Sequence, residues 1–183
     1  MRAGGGKAKG SQFEREVCVL LSKWVTNGKQ EDVFWRSAMS GGRATVAKAH
    51  GKSLGNQVGD ISCIDPAGQQ LISKFAIECK FYADLNYIGL LTGKGKLKEF
   101  WEEIYAQAEG VNKLPMLFAR QNRMPTFIGM NFAGLEWFGY DGASAELISP
   151  KLDLYLLRME TLIHVPDDRR PTSNRQRKRL IPF

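Results

Sequence analysis

An α/β fold, one mixed sheet flanked by helices, is what the 183-residue sequence predicts. Three observations carry this. Apolar residues recur at helical spacing over 12–25. The run Phe75-Ala76-Ile77 leads into Glu78-Cys79-Lys80 as a strand would. A second helical pattern at 97–108 is followed by two β-like runs, 114–120 and 126–132.

Taken in order, residues 1–10 are rich in Gly and Lys and read as a mobile basic arm. Ser11-Gln12-Phe13-Glu14 matches a helix start, with Ser as N-cap and an acid three residues on. Phe13, Val17, Leu20, Leu21 and Trp24 then form one apolar face, Glu14 borders it, and Asn27-Gly28 ends the helix. Residues 33–36 read as a short strand, and 37–43 as a small-residue turn that lets backbone approach a ligand closely. Residues 43–58, with Arg43, Lys48, His50 and Lys52, lack periodicity and read as a mobile basic loop; a short helix over 44–50 is the alternative.

Asp60 opens the run Ile61-Ser62-Cys63-Ile64, and Asp65-Pro66-Ala67-Gly68 supplies a turn signal, so 60–80 is expected to be a hairpin that sets Asp60 alongside Glu78. Gly93-Lys94-Gly95-Lys96 lacks the preceding strand and the spacing of a phosphate-binding loop, and no nucleotide cofactor is expected. In the helix over 97–108, Phe100, Trp101, Ile104 and Tyr105 face the core and Glu102 and Glu103 the water. Gly110 ends that helix, 114–120 is a buried strand, and 126–132 is its partner across 121–125. The spacing of Leu152, Tyr155, Leu156, Met159 and Ile163 predicts a last helix, and 166–183 is a basic tail too poor in apolar residues to order alone. The order is α, β, β, β, α, β, β, α.

The net charge of +7 is clustered, at 7–9, 43–52, 94–98 and 169–179, which favours a polyanionic partner such as nucleic acid. No apolar run approaches the roughly 20 residues that span a membrane, and the first residues lack the apolar core of a secretion signal. A cytoplasmic location without membrane attachment is expected, the host cytoplasm if the source is viral. Cys18, Cys63 and Cys79 are odd in number and far apart, which suits buried thiols better than disulfides or zinc ligands. His50 and His164 are too few and too isolated for a His-based metal site.

On a strand, alternate side chains share a face, so Glu78 and Lys80 point one way and Cys79 the other. Asp60 and Glu78 converging at a strand pair make a hard-oxygen site for Mg²⁺ or Mn²⁺. A lysine beside them can orient or deprotonate a water and stabilise phosphate charge, which together equips the site for metal-assisted phosphodiester hydrolysis. By itself Glu-x-Lys also describes a solvated face with a simple ion pair; the other segments decide between the two.

Those segments carry a resemblance. A helix-borne Glu14, then Gly59-Asp60, then Glu78-Cys79-Lys80 resembles the PD-(D/E)xK nuclease superfamily, with Val58-Gly59 where proline is expected. Lys9-Gly10-Ser11-Gln12-Phe13-Glu14-Arg15-Glu16, Phe34-Trp35-Arg36-Ser37-Ala38 and Ala76-Ile77-Glu78-Cys79-Lys80 are most similar to archaeal-type Holliday junction resolvases, over roughly residues 9–132. The resemblance implies a restriction-endonuclease-like core spanning 11–165, in a phage or mobile-element resolvase-like enzyme. It implies Mg²⁺, with Mn²⁺ able to substitute, bound by Asp60, Glu78 and the Cys79 backbone carbonyl. Glu14 would complete the site directly or through a water on the metal, and Lys80 would position the attacking water and stabilise the transition state. Arg15 and Arg36 would hold DNA phosphates, assisted by Ser37 or Ser40, with Arg43, Lys48 and Lys52 on the basic loop. A homodimer cutting opposed strands of a four-way junction, in recombination and repair, is the implied activity.

Two departures qualify the substrate. Arg36 and Asp60 are 60 − 36 = 24 positions apart, where the family has a short loop, and the chain runs on past Phe132. A sequence-specific or nicking endonuclease of the same superfamily is therefore the first alternative. The second is a DNA-binding protein with a vestigial site, against which Asp60, Glu78 and Lys80 are all intact.

Overall fold

The computed structural model describes residues 5–37, 58–63 and 65–163. Ser40 of the small-residue turn, the basic-loop residues Arg43, Lys48 and Lys52, His50 and His164, the alternative helix at 44–50 and the tail from 166 all lie outside the described residues.

Helix α1, Gly5–Val25, begins earlier than the N-cap pattern suggests, so Ser11 is inside it and residues 5–10 are its first turns, not a separate arm. The side chain of Lys9 explains the extension: its ammonium lies 3.8 Å from the centre of the Phe81 ring and bonds the Asn122 amide oxygen. Phe13, Val17, Cys18, Leu21 and Trp24 are the buried stripe of α1. Burying each of its larger residues is worth about 1.5–3 kcal/mol. The helix ends as expected, with Asn27 and Gly28 both at positive φ and the Gly28 N–H donating to the Lys23 carbonyl at 2.7 Å. Ser22 Oγ donates to Cys18 O at 2.8 Å and accepts from Phe34 N at 3.0 Å, tying the next segment to α1.

Strands β1, Trp35–Arg36, and β2, Ile61–Ser62, form a small antiparallel pair. Helix α2, Pro66–Lys74, then replaces the expected hairpin turn. Asp65 caps it by accepting from Ala67 N at 2.8 Å, and Pro66 stands at the first helical position, where its missing N–H and fixed φ are assets. The Asp-Pro-Ala-Gly signal starts a helix here, not a turn.

The main sheet has β3, Phe75–Tyr82, parallel to β4, Leu114–Gln121, joined through a 3₁₀ turn and helix α3, Lys96–Glu109. Strand β5, Thr126–Met130, pairs antiparallel with β4 as expected. Helix α4, Phe132–Trp137, leads to β6, Leu147–Ser149, and β7, Leu154–Arg158, giving the order β3-β4-β5-β7-β6. Residues 154–158, expected as helix, are thus a strand, and only α5, Met159–Ile163, is helical there. The cause is that both faces are covered: Leu154 and Leu156 are buried in one apolar layer and Leu157 in the other, so the alternation that marks a strand is lost.

Two apolar layers cover the sheet. Phe75, Ile77 and Cys79 pack with the α1 stripe on one face, and Ala76, Leu117 and Ala119 pack with Leu97, Trp101 and Ile104 of α3 on the other. The three cysteines are free and buried.

Candidate active site

Asp60 reaches β3 without a hairpin. Gly59 makes a parallel bridge to Ile77, and the Asp60 N–H donates to the Ile77 carbonyl at 2.7 Å. Gly59 has φ +97°, and a Cβ there would stand 2.8 Å from the Ile77 nitrogen, so only glycine permits this approach. Ser37 N donates to the Asp60 carbonyl at 2.7 Å, which fixes Asp60 from the other side. The side chain then turns to β3, where Oδ2 accepts from the Cys79 N–H at 2.9 Å. In a strand a residue's N–H and C=O point to the same edge, so the Cys79 carbonyl faces the Asp60 side as well.

Glu78 and Lys80 share a face of β3 as expected, with Lys80 Nζ 2.7 Å from Glu78 Oε1. Cys79 points into the opposite core. Lys80 Nζ also lies 4.9 Å from the centre of the Phe100 ring on α3. Glu14, on the α1 turn facing this edge, forms an ion pair with Arg36 Nε. Arg36, expected on DNA phosphate, is therefore held by a carboxylate of the same site, and Arg15 is exposed on α1.

Burial first, and the Glu78 charge second, push the Asp60 carboxyl up to about 7 against the Cys79 hydrogen bond. Burial likewise raises Glu78, although the Lys80 ammonium pulls it down. Burial works to lower Lys80, but the charge and hydrogen bond of Glu78 outweigh it, and the pKa is raised. The raised pKa favours the ammonium form, which suits Lys80 to orienting a water and stabilising negative charge more than to deprotonating it. The Cys79 thiol is raised well above its ordinary value by burial, then by Asp60 and Glu78, so it stays protonated.

Among the described residues, no three His, Cys, Asp or Glu side chains converge as a ready metal cage. The residues present still fit a hard divalent cation. Asp60 is buried and Glu78 partly so, and burial first, then neighbouring carboxylates, raises both and disfavours their charged forms, a cost that a cation would offset. Carbonyl and water oxygens complete such sites, since Mg²⁺ takes few protein ligands and keeps several waters.

Two neighbours were not legible beforehand. Phe100 lies beneath Lys80, and Glu103, one helical turn further, acts electrostatically on both Glu78 and Lys80. Both lie on α3, and nothing in their local pattern shows which strand residue the helix covers.

A mixed sheet flanked by helices, an aspartate delivered to the edge of β3, and Glu-x-Lys on that strand define an α/β nuclease of the restriction-endonuclease-like fold. The model of the phage putative PDDEXK endonuclease family matches residues 5–140, and the chain belongs to that family. DNA is the substrate this membership implies, and among the described residues no helix is long and apolar enough to cross a membrane. The match covers the site from Glu14 to Glu103 and ends before β6 and β7 complete the sheet. No curated protein and no solved structure matches the chain.

Proposed function

We propose that the protein is a Mg²⁺-dependent DNA endonuclease that resolves four-way junctions as a homodimer. The observation that carries the chemistry is the Asp60 carboxylate anchored on the Cys79 amide next to the Glu78–Lys80 pair. The junction assignment rests on the segments at 9–16, 34–38 and 76–80, which resemble resolvases in sequence and order. Asp60, Glu78 and the Cys79 carbonyl would hold the cation, with Glu14 completing the set. When bound, the cation supplies Lewis acidity toward the phosphate oxygens and offsets the two buried carboxylates.

The chain's own residues do the rest. Lys80, kept protonated by Glu78, places a positive charge where the phosphorane charge grows and orients the attacking water by hydrogen bonding. Phe100 shields the ammonium from bulk water on one side, which strengthens its field. Glu14 keeps Arg36 oriented at the site edge, from which the guanidinium can turn to a phosphate. Arg15, exposed on α1, and Ser37, beside Asp60, would contact the DNA backbone, and Ser40 with the basic residues Arg43, Lys48 and Lys52 would extend the DNA path.

The test is cleavage of a labelled synthetic four-way junction, beside its arms as linear duplex, with Mg²⁺ and an Asp60→Asn control. Paired symmetrical nicks in the junction alone, absent in the variant, are expected. Cutting of the duplex would keep the chemistry and replace the junction by a sequence-specific or nicking role. Tight binding with no cleavage of either would leave a vestigial site.

A further inference from the structure

We infer that Tyr82 and Phe100 form a stacking ledge beside the catalytic lysine that receives an unpaired nucleobase of the DNA. This rests on the nuclease function proposed above and adds the form in which the site takes its substrate.

Glu78, Lys80 and Tyr82 are alternate residues of β3 and share one face. Phe100 lies beneath two of them: its ring centre is 4.9 Å from Lys80 Nζ and 4.9 Å from the centre of the Tyr82 ring. Tyr82 is 43% exposed, whereas Ala76 on the same face is fully buried in the layer under α3. Phe100 meets the Tyr82 ring at a 44° tilt and braces it from one side, while much of the ring stays open to a base. Alternate strand residues are about 6.7 Å apart along the chain. A phosphate engaged by Lys80 therefore leaves its neighbouring base within reach of Tyr82.

The charge around the ledge agrees. Lys96, at the start of α3, is an exposed cation that pairs with Glu99 at 2.7 Å, and Lys80 supplies a second cation. Aromatic rings framed by cations are how proteins hold unpaired nucleotides without reading sequence. A base inside a continuous duplex is stacked on its neighbours and presents no free face. The ledge therefore selects DNA whose base can leave the stack, as at a branch point or mismatch.

The experiment places 2-aminopurine at the branch point of a four-way junction and, separately, in a mismatch within a linear duplex, with full-length protein and no divalent metal. Wild type is expected to quench the fluorescence in both, and Tyr82→Phe to retain the quenching. Tyr82→Leu, which still covers Phe100 but has no ring, should lose it and bind roughly tenfold more weakly. A Tyr82→Leu protein that quenches like wild type, or a wild type that quenches neither probe, overturns the ledge. The mismatch probe separates the two proposals: duplex cleavage with quenching at the mismatch rejects the junction assignment and retains the ledge.

Discussion

Lys80 Nζ lies 2.7 Å from Glu78 Oε1 while its other side rests against the Phe100 ring. Glu78 raises the pKa of a lysine held in this way and so favours its positive form. Lys80→Ala should slow single-turnover cleavage by ~10²-fold or more, the scale of losing a charge-stabilising group. DNA affinity should change little. An equal loss of affinity and rate would mark Lys80 as a phosphate anchor instead.

Asp60 ties stability to pH. Its folded pKa is raised from 3.8 to about 7, so between those values the folded protein keeps a proton that the unfolded chain releases. Below the window the carboxyl is protonated in both states and carries no penalty. Stability of the metal-free protein should therefore fall as pH rises from about 4 to about 7, then level, with Glu78 acting in the same direction. Asp60→Asn should flatten this slope and raise the melting temperature at pH 8 while abolishing cleavage. Urea titrations at several pH values measure it, and a slope unchanged in the variant would assign the effect to other groups.

Protons and a divalent cation compete for the same carboxylates. Mg²⁺ should raise the melting temperature more at pH 8 than at pH 6, and chelation should reverse the gain. In Asp60→Asn the increment should vanish. Calorimetric titration with Mg²⁺ or Mn²⁺ provides the affinity directly.

Gly59→Ala tests how Asp60 is delivered. At φ +97° and with the Ile77 backbone in the way, the added methyl must displace the bridge. A loss of about 2 kcal/mol or more is expected, with cleavage lost beyond what stability explains. A variant that keeps both would mean the bridge is dispensable.

Glu14→Gln removes a carboxylate from the DNA path and frees Arg36. Binding should tighten by roughly fivefold and steepen in its salt dependence, while cleavage slows. Filter binding across a salt series, paired with single-turnover rates, separates the two effects. Weaker binding would show that the ion pair is needed to hold Arg36 in place.

Much of the fold was legible because its signals are local. The α1 stripe, the α3 face and the β4–β5 pair each announce themselves over a dozen residues. Two segments misled for stated reasons. Asp65-Pro66 serves a helix N-terminus as well as a turn, and the choice depends on Gly68, Leu71 and Ile72 finding a core to bury in. Residues 154–158 are apolar at both strand and helix spacing because apolar layers cover both faces of the strand.

The sequence nominates Glu14, Asp60, Glu78 and Lys80 through the order of their segments and the resemblance these carry, and strand alternation already places Glu78 and Lys80 together. How Asp60 meets them was decided by tertiary structure, through a parallel bridge at Gly59 after an intervening helix, not a hairpin. The Glu14–Arg36 pair and the placement of Phe100 under Lys80 and Tyr82 were decided there too. The physical reason is range: these contacts depend on how helices lie across a finished sheet, and periodicity specifies which face of a helix is buried but not what it is buried against.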